Sequence, residues 1–148
     1  MPFGDDCKIV IASTTTLGAA AATTITSSSV DTAGFRECTF IVPLGTIVTN
    51  AVTSLKVQQS DDTGGSPDDF TDLLGSSQTI ADDDDDKLKY VTVVNPKKRY
   101  LKCVVTRGTQ NATIGGIIAI LSGARLKPVT QGTGVAGEQF INVAEGTA

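Results

Sequence analysis

The chain has no histidine and no tryptophan, and only two tyrosines and five phenylalanines among its 148 residues. Histidine is the commonest general base and a common zinc ligand, so its absence removes most catalytic arrangements built around it. The sequence also has neither the strained serine turn of hydrolases nor a glycine-rich phosphate loop. We therefore predict that the protein is not an enzyme and holds no cofactor or metal.

Long apolar runs and signal features are also missing. No stretch of 18 apolar residues occurs, so we expect no membrane span. The first residues, Met1–Asp6, lack the basic and apolar regions of a signal peptide. Of the three cysteines, Cys38 and Cys103 fall inside apolar segments, which predicts buried free thiols in a protein folded in a reducing cytoplasm, with a disulfide between them as the alternative.

What the chain has in abundance is threonine, with 21 copies, and valine, and both favour strands over helices. Val52 to Gln59 alternates most cleanly, with Thr53, Leu55 and Val57 predicted to face inward. Pro43 and Gly45 are expected to end or bulge the strand that begins at Phe35. Ile114 to Leu121 is almost continuously apolar, which predicts burial on both faces by a second sheet or another subunit. Gly115–Gly116 within that run predicts a bulge or a close backbone approach.

These patterns predict an all-β fold, an antiparallel β-sandwich or jelly-roll-like barrel of about seven to eight short strands. We expect an N-terminal arm over residues 1–20, the sandwich domain over 21–129 and an extended C-terminal tail over 130–148. Since the arm and tail have no core of their own, they are expected to lie on neighbouring molecules if they are ordered.

Charge is divided along the sequence. Residues 1–86 carry three basic and fourteen acidic side chains, a formal charge of −11, whereas residues 87–148 carry a charge of +7. This layout suits a protein that docks on other protein copies in one orientation, although charged turns that simply face water would give the same pattern. The net acidity argues against general nucleic-acid binding.

Ten acidic residues lie between Asp61 and Asp86, in two loops that we expect to be solvated rather than to bind calcium, since neither has the spacing of a calcium-binding hand. The candidates for a protein interface are Arg99, Tyr100, Arg125 and Lys127, since arginine pairs bidentately with carboxylates and tyrosine buries area at low entropic cost. The alternative is a hairpin turn whose charges face water. If the loops lie at opposite ends, the basic end is expected to face a partner and both acidic loops to face solvent.

Four segments occur in a characteristic order: Val30–Phe35, Phe40–Ile47, Leu55–Asp62 and Lys98–Lys102. Together they resemble a family of small tailed-bacteriophage virion proteins that are mostly treated as head decoration, or cement, proteins. The resemblance covers roughly residues 23–129. It implies a structural protein on the outer capsid surface, assembled in the host cytoplasm, with the major capsid protein and itself as partners, as a homotrimer at three-fold or quasi-three-fold points.

Two other functions stay open at this stage. The same sandwich joined into a ring would serve as a tail or head–tail connector component. A carbohydrate-binding module is a weaker alternative, because sugar platforms usually need exposed aromatic side chains and most of the few aromatics here are needed for packing.

Overall fold

Almost all regular structure in the chain is β-strand. The computed structural model describes residues 3–13, 20–63, 69–138 and 144–146. Within these ranges the elements are α1 (Phe3–Asp6), β1 (Lys8–Ser13), β2 (Ala20–Ala21), β3 (Ile25–Thr26), β4 (Val30–Asp31), β5 (Glu37–Ile47), β6 (Val52–Ser60), β7 (Thr71–Asp72), β8 (Gln78–Ile80), β9 (Leu88–Val94), β10 (Tyr100–Gly108), β11 (Ala112–Ile114) and β12 (Ile117–Ser122). Four of the strands have only two residues, so the longer strands carry the fold.

The strands form two antiparallel sheets of six strands each. The first sheet has the order β1-β12-β5-β11-β2, with β9 also paired to β5. The second has the order β3-β10-β6-β7, with β4 paired to β10 and β8 paired to β6. The predicted antiparallel β-sandwich is confirmed, and the described strands do not close into a barrel. None of the described helical segments is long and apolar enough to cross a membrane.

The core lies between the sheets and is built from alternate residues of the longest strands. In β6, Thr53, Leu55 and Val57 are buried, as their alternation predicts. The thiols of Cys38 on β5 and Cys103 on β10 are free and fully buried. Loss of solvation raises the pKa of each to about 12, so both stay protonated at neutral pH. The predicted buried free thiols are confirmed.

Strand β5 continues past both residues that were expected to end or bulge it. It runs through Pro43 and Gly45 to Ile47 because β9 pairs with its first part and β11 with its last part. A register shift interrupts the β5–β11 pairing between Leu44 and Ile47, where β5 has one residue more than β11. The predicted end of the strand is therefore wrong, and the predicted bulge near Gly45 is confirmed.

At Gly115–Gly116 the sequence predicts a bulge or a close backbone approach. The Gly115 N–H donates to the Pro43 carbonyl at 2.8 Å, and a Cβ on Gly115 would lie 3.3 Å from Pro43. The glycine pair thus marks a close backbone approach.

The prediction that Ile114–Leu121 is buried on both faces is wrong within the chain. The segment divides into the end of β11 and all of β12, and in β12 only alternate residues face the core. Ile117, Ala119 and Leu121 are buried, whereas Ile118 is 37% exposed on the outer face. Both faces are apolar in sequence, but the second sheet covers only one of them.

The N-terminal segment pairs within its own chain. β1 lies antiparallel to β12, and Ala12 is part of the core. The expectation that an ordered arm must lie on a neighbouring molecule is therefore wrong for residues 8–13.

The start of the tail also packs on its own chain. The Gln131 amide accepts from Ile9 N at 2.9 Å and donates to the Cys7 carbonyl at 2.7 Å, so it covers the outer edge of β1. Residues 14–19, 139–143 and 147–148 lie outside the described residues, and the division at residues 20 and 129 stays a prediction.

Candidate functional site

One end of the sandwich carries a cleft with a basic lining. β5 begins there, β9 and β12 end there, and β10 begins there, so the turns beside these strand ends come together. They enclose a cleft of about 760 Å³. We call it the basic cleft, and its charged lining residues are Arg36, Asp61, Lys97, Lys98, Arg99 and Arg125.

A tight turn forms one wall of the basic cleft. Phe35 N donates to the Thr32 carbonyl at 3.0 Å, and Ala33 N donates to the Asp31 carboxylate at 2.9 Å. Gly34 completes the turn with a φ of 85°, a conformation that glycine adopts without steric cost. This turn over residues 32–35 fixes the wall to the start of β5.

Arg99 is held firmly in place. Its Nε and Nη2 donate to the two Asp31 carboxylate oxygens at 2.9 and 2.7 Å, a bidentate pair. The hydrogen bond from Arg99 lowers the pKa of Asp31, and the same contact raises the pKa of Arg99. The Arg99 carbonyl also accepts from Thr32 N at 2.9 Å. Because Asp31 already occupies its guanidinium, Arg99 shapes the cleft more than it offers charge to a ligand.

The other three sequence-predicted interface residues lie in different surroundings. Arg125 lines the basic cleft together with Arg99, and its backbone N–H donates to the Gly34 carbonyl at 2.9 Å. Tyr100 lies beside the cleft, with its ring centroid 5.1 Å from the Arg99 guanidinium carbon. Lys127 forms an ion pair with Asp6 on α1 and is not part of the cleft lining. The structure thus brings Arg99 and Arg125 into one site and places Lys127 outside it.

Two cleft residues were missed in the sequence. Arg36 precedes β5, and its side chain is 65% exposed, with only a 4.0 Å contact to Glu37. Asp61 follows β6 and lies 3.9 Å from Lys98 across the cleft. No local pattern marks either residue, because the site is formed by turns from four distant parts of the chain.

The two acidic loops lie at different ends of the sandwich. The 82–86 loop precedes β9, whereas the basic cleft follows it, so about 20 Å of strand separates them. The loop that begins at Asp61 instead follows β6 into the basic end. The expectation that both acidic loops lie opposite the basic residues is therefore wrong for Asp61.

The 82–86 loop is bound to the fold rather than merely solvated. Asp85 accepts from Ile47 N and Asp82 accepts from Asn50 N, both at 2.6 Å. Asp84 accepts from Ala81 N at 3.0 Å and pairs with Lys89 at 2.7 Å. These contacts, with the Lys89 hydrogen bond the largest, lower the pKa of Asp84. The expectation of a solvated loop is wrong for Asp84, which is buried, whereas Asp85 is exposed and Asp82 is partly exposed although each also accepts a backbone hydrogen bond.

Neither acidic loop forms a metal centre in the described part of the chain. No group of three or more acidic or cysteine side chains there is placed to hold an ion.

Comparison with known proteins gives no relative: no family model, no curated protein and no solved structure matches the chain. The function must therefore be inferred from the site itself and from the resemblance in its sequence.

Proposed function

We propose that this chain is a non-enzymatic structural protein of a tailed-phage virion that binds the outer surface of the capsid. In this proposal the major capsid protein is the partner, and the basic cleft is the contact. The homotrimer implied by the resemblance stays a prediction.

The observation that carries the proposal is the available positive charge of the basic cleft. Lys97 and Arg125 are exposed there and form no ion pair with any described residue. Arg36 has only its weak contact to Glu37. A rigid basic concavity recognises an acidic protuberance on a partner, since complementary potentials steer and orient docking.

The rest of the fold supports a binding role. The cleft walls are strand ends and short turns tied by backbone hydrogen bonds, so little ordering is needed on binding. A capsid presents many identical sites, and an oligomeric binder gains avidity from them even when each contact is weak.

Immunogold labelling of purified virions tests the proposal directly. An antibody raised against this protein is expected to place gold over the head in negative-stain images. Label over the tail or the neck would replace the proposal with a tail or connector component. Virions that carry no label, from a preparation in which the capsid protein is labelled by its own antibody, would show the proposal to be wrong.

A further inference from the structure

The two edges of the first sheet differ in whether the chain covers them. At the β1 edge, Ile9 N donates to the Gln131 amide and the Ala12 carbonyl accepts from Ser28 N at 2.8 Å. At the opposite edge, β9 pairs with β5 on one side, and no described strand pairs with its other side. An edge strand of seven residues that no described strand covers is a template for pairing with another chain.

The pairing with β5 determines which backbone groups of β9 are open. Leu88 lies opposite Pro43, which has no N–H, so this is a non-hydrogen-bonded pair. Alternation along an antiparallel ladder then turns the N–H and C=O groups of Leu88, Tyr90, Thr92 and Val94 away from β5. The Tyr90 carbonyl agrees with this assignment, since it accepts from the Gln78 side chain of the second sheet at 3.1 Å.

The side chains of the same residues lack the usual protection of an edge. Leu88, Tyr90 and Val94 are 54%, 62% and 50% exposed. Edge strands are commonly guarded by charged side chains that point outward or inward and stay unpaired, by a proline or by a bulge. The lysine of β9, Lys89, is instead turned to Asp84 at 2.7 Å.

We propose that β9 pairs antiparallel with β9 of a second copy of this chain, about a two-fold axis through Val91. In this register Leu88 faces Val94 of the second copy, and Tyr90 faces Thr92. In these two pairs the outward N–H and C=O groups of one strand meet those of the other, and the Gln78 side chain gives up its hydrogen bond to the Tyr90 carbonyl when the second strand pairs. Lys89 faces Val93, so no like charges meet across the contact. This self-complementarity identifies a second copy as the occupant.

The contact goes beyond the proposed capsid binding and does not depend on it. It involves about seven residues per copy, against roughly 20–30 in a standard interface, so we expect weak association in solution. It is compatible with three-fold positions on a capsid, because local two-fold axes relate neighbouring three-fold points of an icosahedral shell.

Disulfide trapping tests the register. In a Cys7→Ser background, Val91→Cys would place two thiols across the axis, with Cα atoms about 4.5 Å apart, within disulfide range. Thr92→Cys is the matched control, since its two copies lie about two residues further apart along the strands, beyond that range. Thr92 is also the more exposed of the two, so random collision would favour the control.

At a concentration on the order of 100 µM, suited to weak contacts, mild oxidation is expected to convert most of the Val91→Cys protein to a species of twice the 15.3 kDa chain mass. Thr92→Cys is expected to stay single. No dimer from Val91→Cys, or equal dimer from both variants, overturns the proposal.

A proline substitution tests the edge without any crosslink. The Thr92 N–H points away from β5, so Thr92→Pro removes no backbone hydrogen bond of the fold but blocks pairing with a second copy. The side-chain hydrogen bond between Thr92 Oγ1 and Thr39 Oγ1 at 2.9 Å is lost in Thr92→Pro and in the Thr92→Ala control alike. Sedimentation is expected to show mass rising with concentration for the native chain and for Thr92→Ala, but not for Thr92→Pro. A folded Thr92→Pro protein that associates like the native chain overturns the proposal. Virion labelling is independent of all these outcomes, so failure of the dimer contact and failure of the proposed function are distinguishable.

Discussion

The two ends of the sandwich are both highly charged, but they use their charge differently. At the 82–86 end, Asp82 and Asp85 accept backbone hydrogen bonds and Asp84 pairs with Lys87 and Lys89. At the basic cleft, Arg99 is bound to Asp31, whereas Lys97 and Arg125 remain exposed. The partners of each charge, rather than the number of charges, separate a structural role from a binding role.

In the proposed function, this difference gives the acidic end a role in stability and the basic end the contact with the partner. Carboxylates that accept hydrogen bonds to the backbone and to lysine stabilise the loop that precedes β9. Exposed cations on a rigid wall contribute little to folding, since surface charges are worth little, but they add to the potential that a partner meets. Four predictions test this assignment, in order of decreasing effect.

Removing charge from the basic cleft is expected to have the largest effect, on binding alone. The double change Arg36→Gln and Arg125→Gln should weaken binding to purified capsids at least tenfold at low salt while leaving the melting temperature almost unchanged. The weakening should shrink as salt rises above about 0.1 M, because exposed charges are screened over a Debye length of about 10 Å. Binding is measured by co-sedimentation with capsids.

The matched control removes the same charge elsewhere. Lys56 and Lys102 lie on the outer face of the second sheet, where Lys56 pairs with Asp72 and Lys102 lies over the Phe70 ring. Changing both to Gln is expected to alter capsid binding less than threefold, in keeping with the small effect of surface charges far from a contact. Equal losses from the two double variants would mean that net charge, not the cleft, directs docking.

At the acidic end, Asp84→Asn is expected to lower the melting temperature by several degrees. The change removes the charge that pairs with Lys87 and Lys89, and it weakens the acceptor for Ala81 N. Asp83→Asn, at an exposed neighbouring position, serves as the control and should change little. Thermal unfolding followed by circular dichroism measures both. Similar melting temperatures for the two variants would contradict a structural role for the loop.

How much of the fold and of the candidate site can be predicted from the sequence depends on how local each feature is. The inward set Thr53, Leu55 and Val57 is correctly predicted because strand alternation needs only neighbouring residues. The burial of the outer face of β12 is predicted wrongly, because a strand with two apolar faces has the same sequence pattern whether one face or both are covered. The fold class follows from many such local patterns, so it is the most predictable feature.

The contacts that distinguish the two ends are not local. Asp85 binds Ile47 over 38 residues of sequence, Asp82 binds Asn50 over 32, and Arg99 binds Asp31 over 68. A run of aspartates therefore looks solvated until the hairpin that it binds is in place. The candidate residues Arg99 and Arg125 could be chosen from side-chain chemistry, but which cations are paired could not.

Three paired carboxylates, one of them at the acidic end, should also give the protein a defined pH response. The pKa values of Asp31, Asp72 and Asp84 are lowered in the folded chain, chiefly by hydrogen bonds from Arg99, Lys56 and Lys89 respectively. In the unfolded chain each returns to about 3.9. The unfolded state therefore binds more protons below about pH 4, so their stabilisation is present above that value and is lost as the pH falls.

The melting temperature is thus expected to be nearly constant between about pH 5 and pH 8, where no histidine titrates, and to fall below about pH 4. Asp84→Asn should show a shallower acid decline, because one of the three contributing carboxylates has been removed. A melting temperature that rises on acidification from pH 5 would contradict the lowered pKa values.

The smallest effect is expected from a change in the wall of the basic cleft that leaves its charges in place. Gly123 has a φ of 68°, and a Cβ added there would lie 2.8 Å from the Arg36 Cβ. Gly34 lines the same cleft with a φ of 85° and has open space around it. Alanine at either position is expected to cost about 1–2 kcal/mol of stability through its left-handed backbone conformation. Only Gly123→Ala must also displace Arg36, so only that variant should weaken capsid binding, by less than the tenfold expected when the charges of Arg36 and Arg125 are removed. Equal binding by the two alanine variants, with matched melting temperatures, would show that the position of Arg36 does not matter and that the cleft acts through its charge alone.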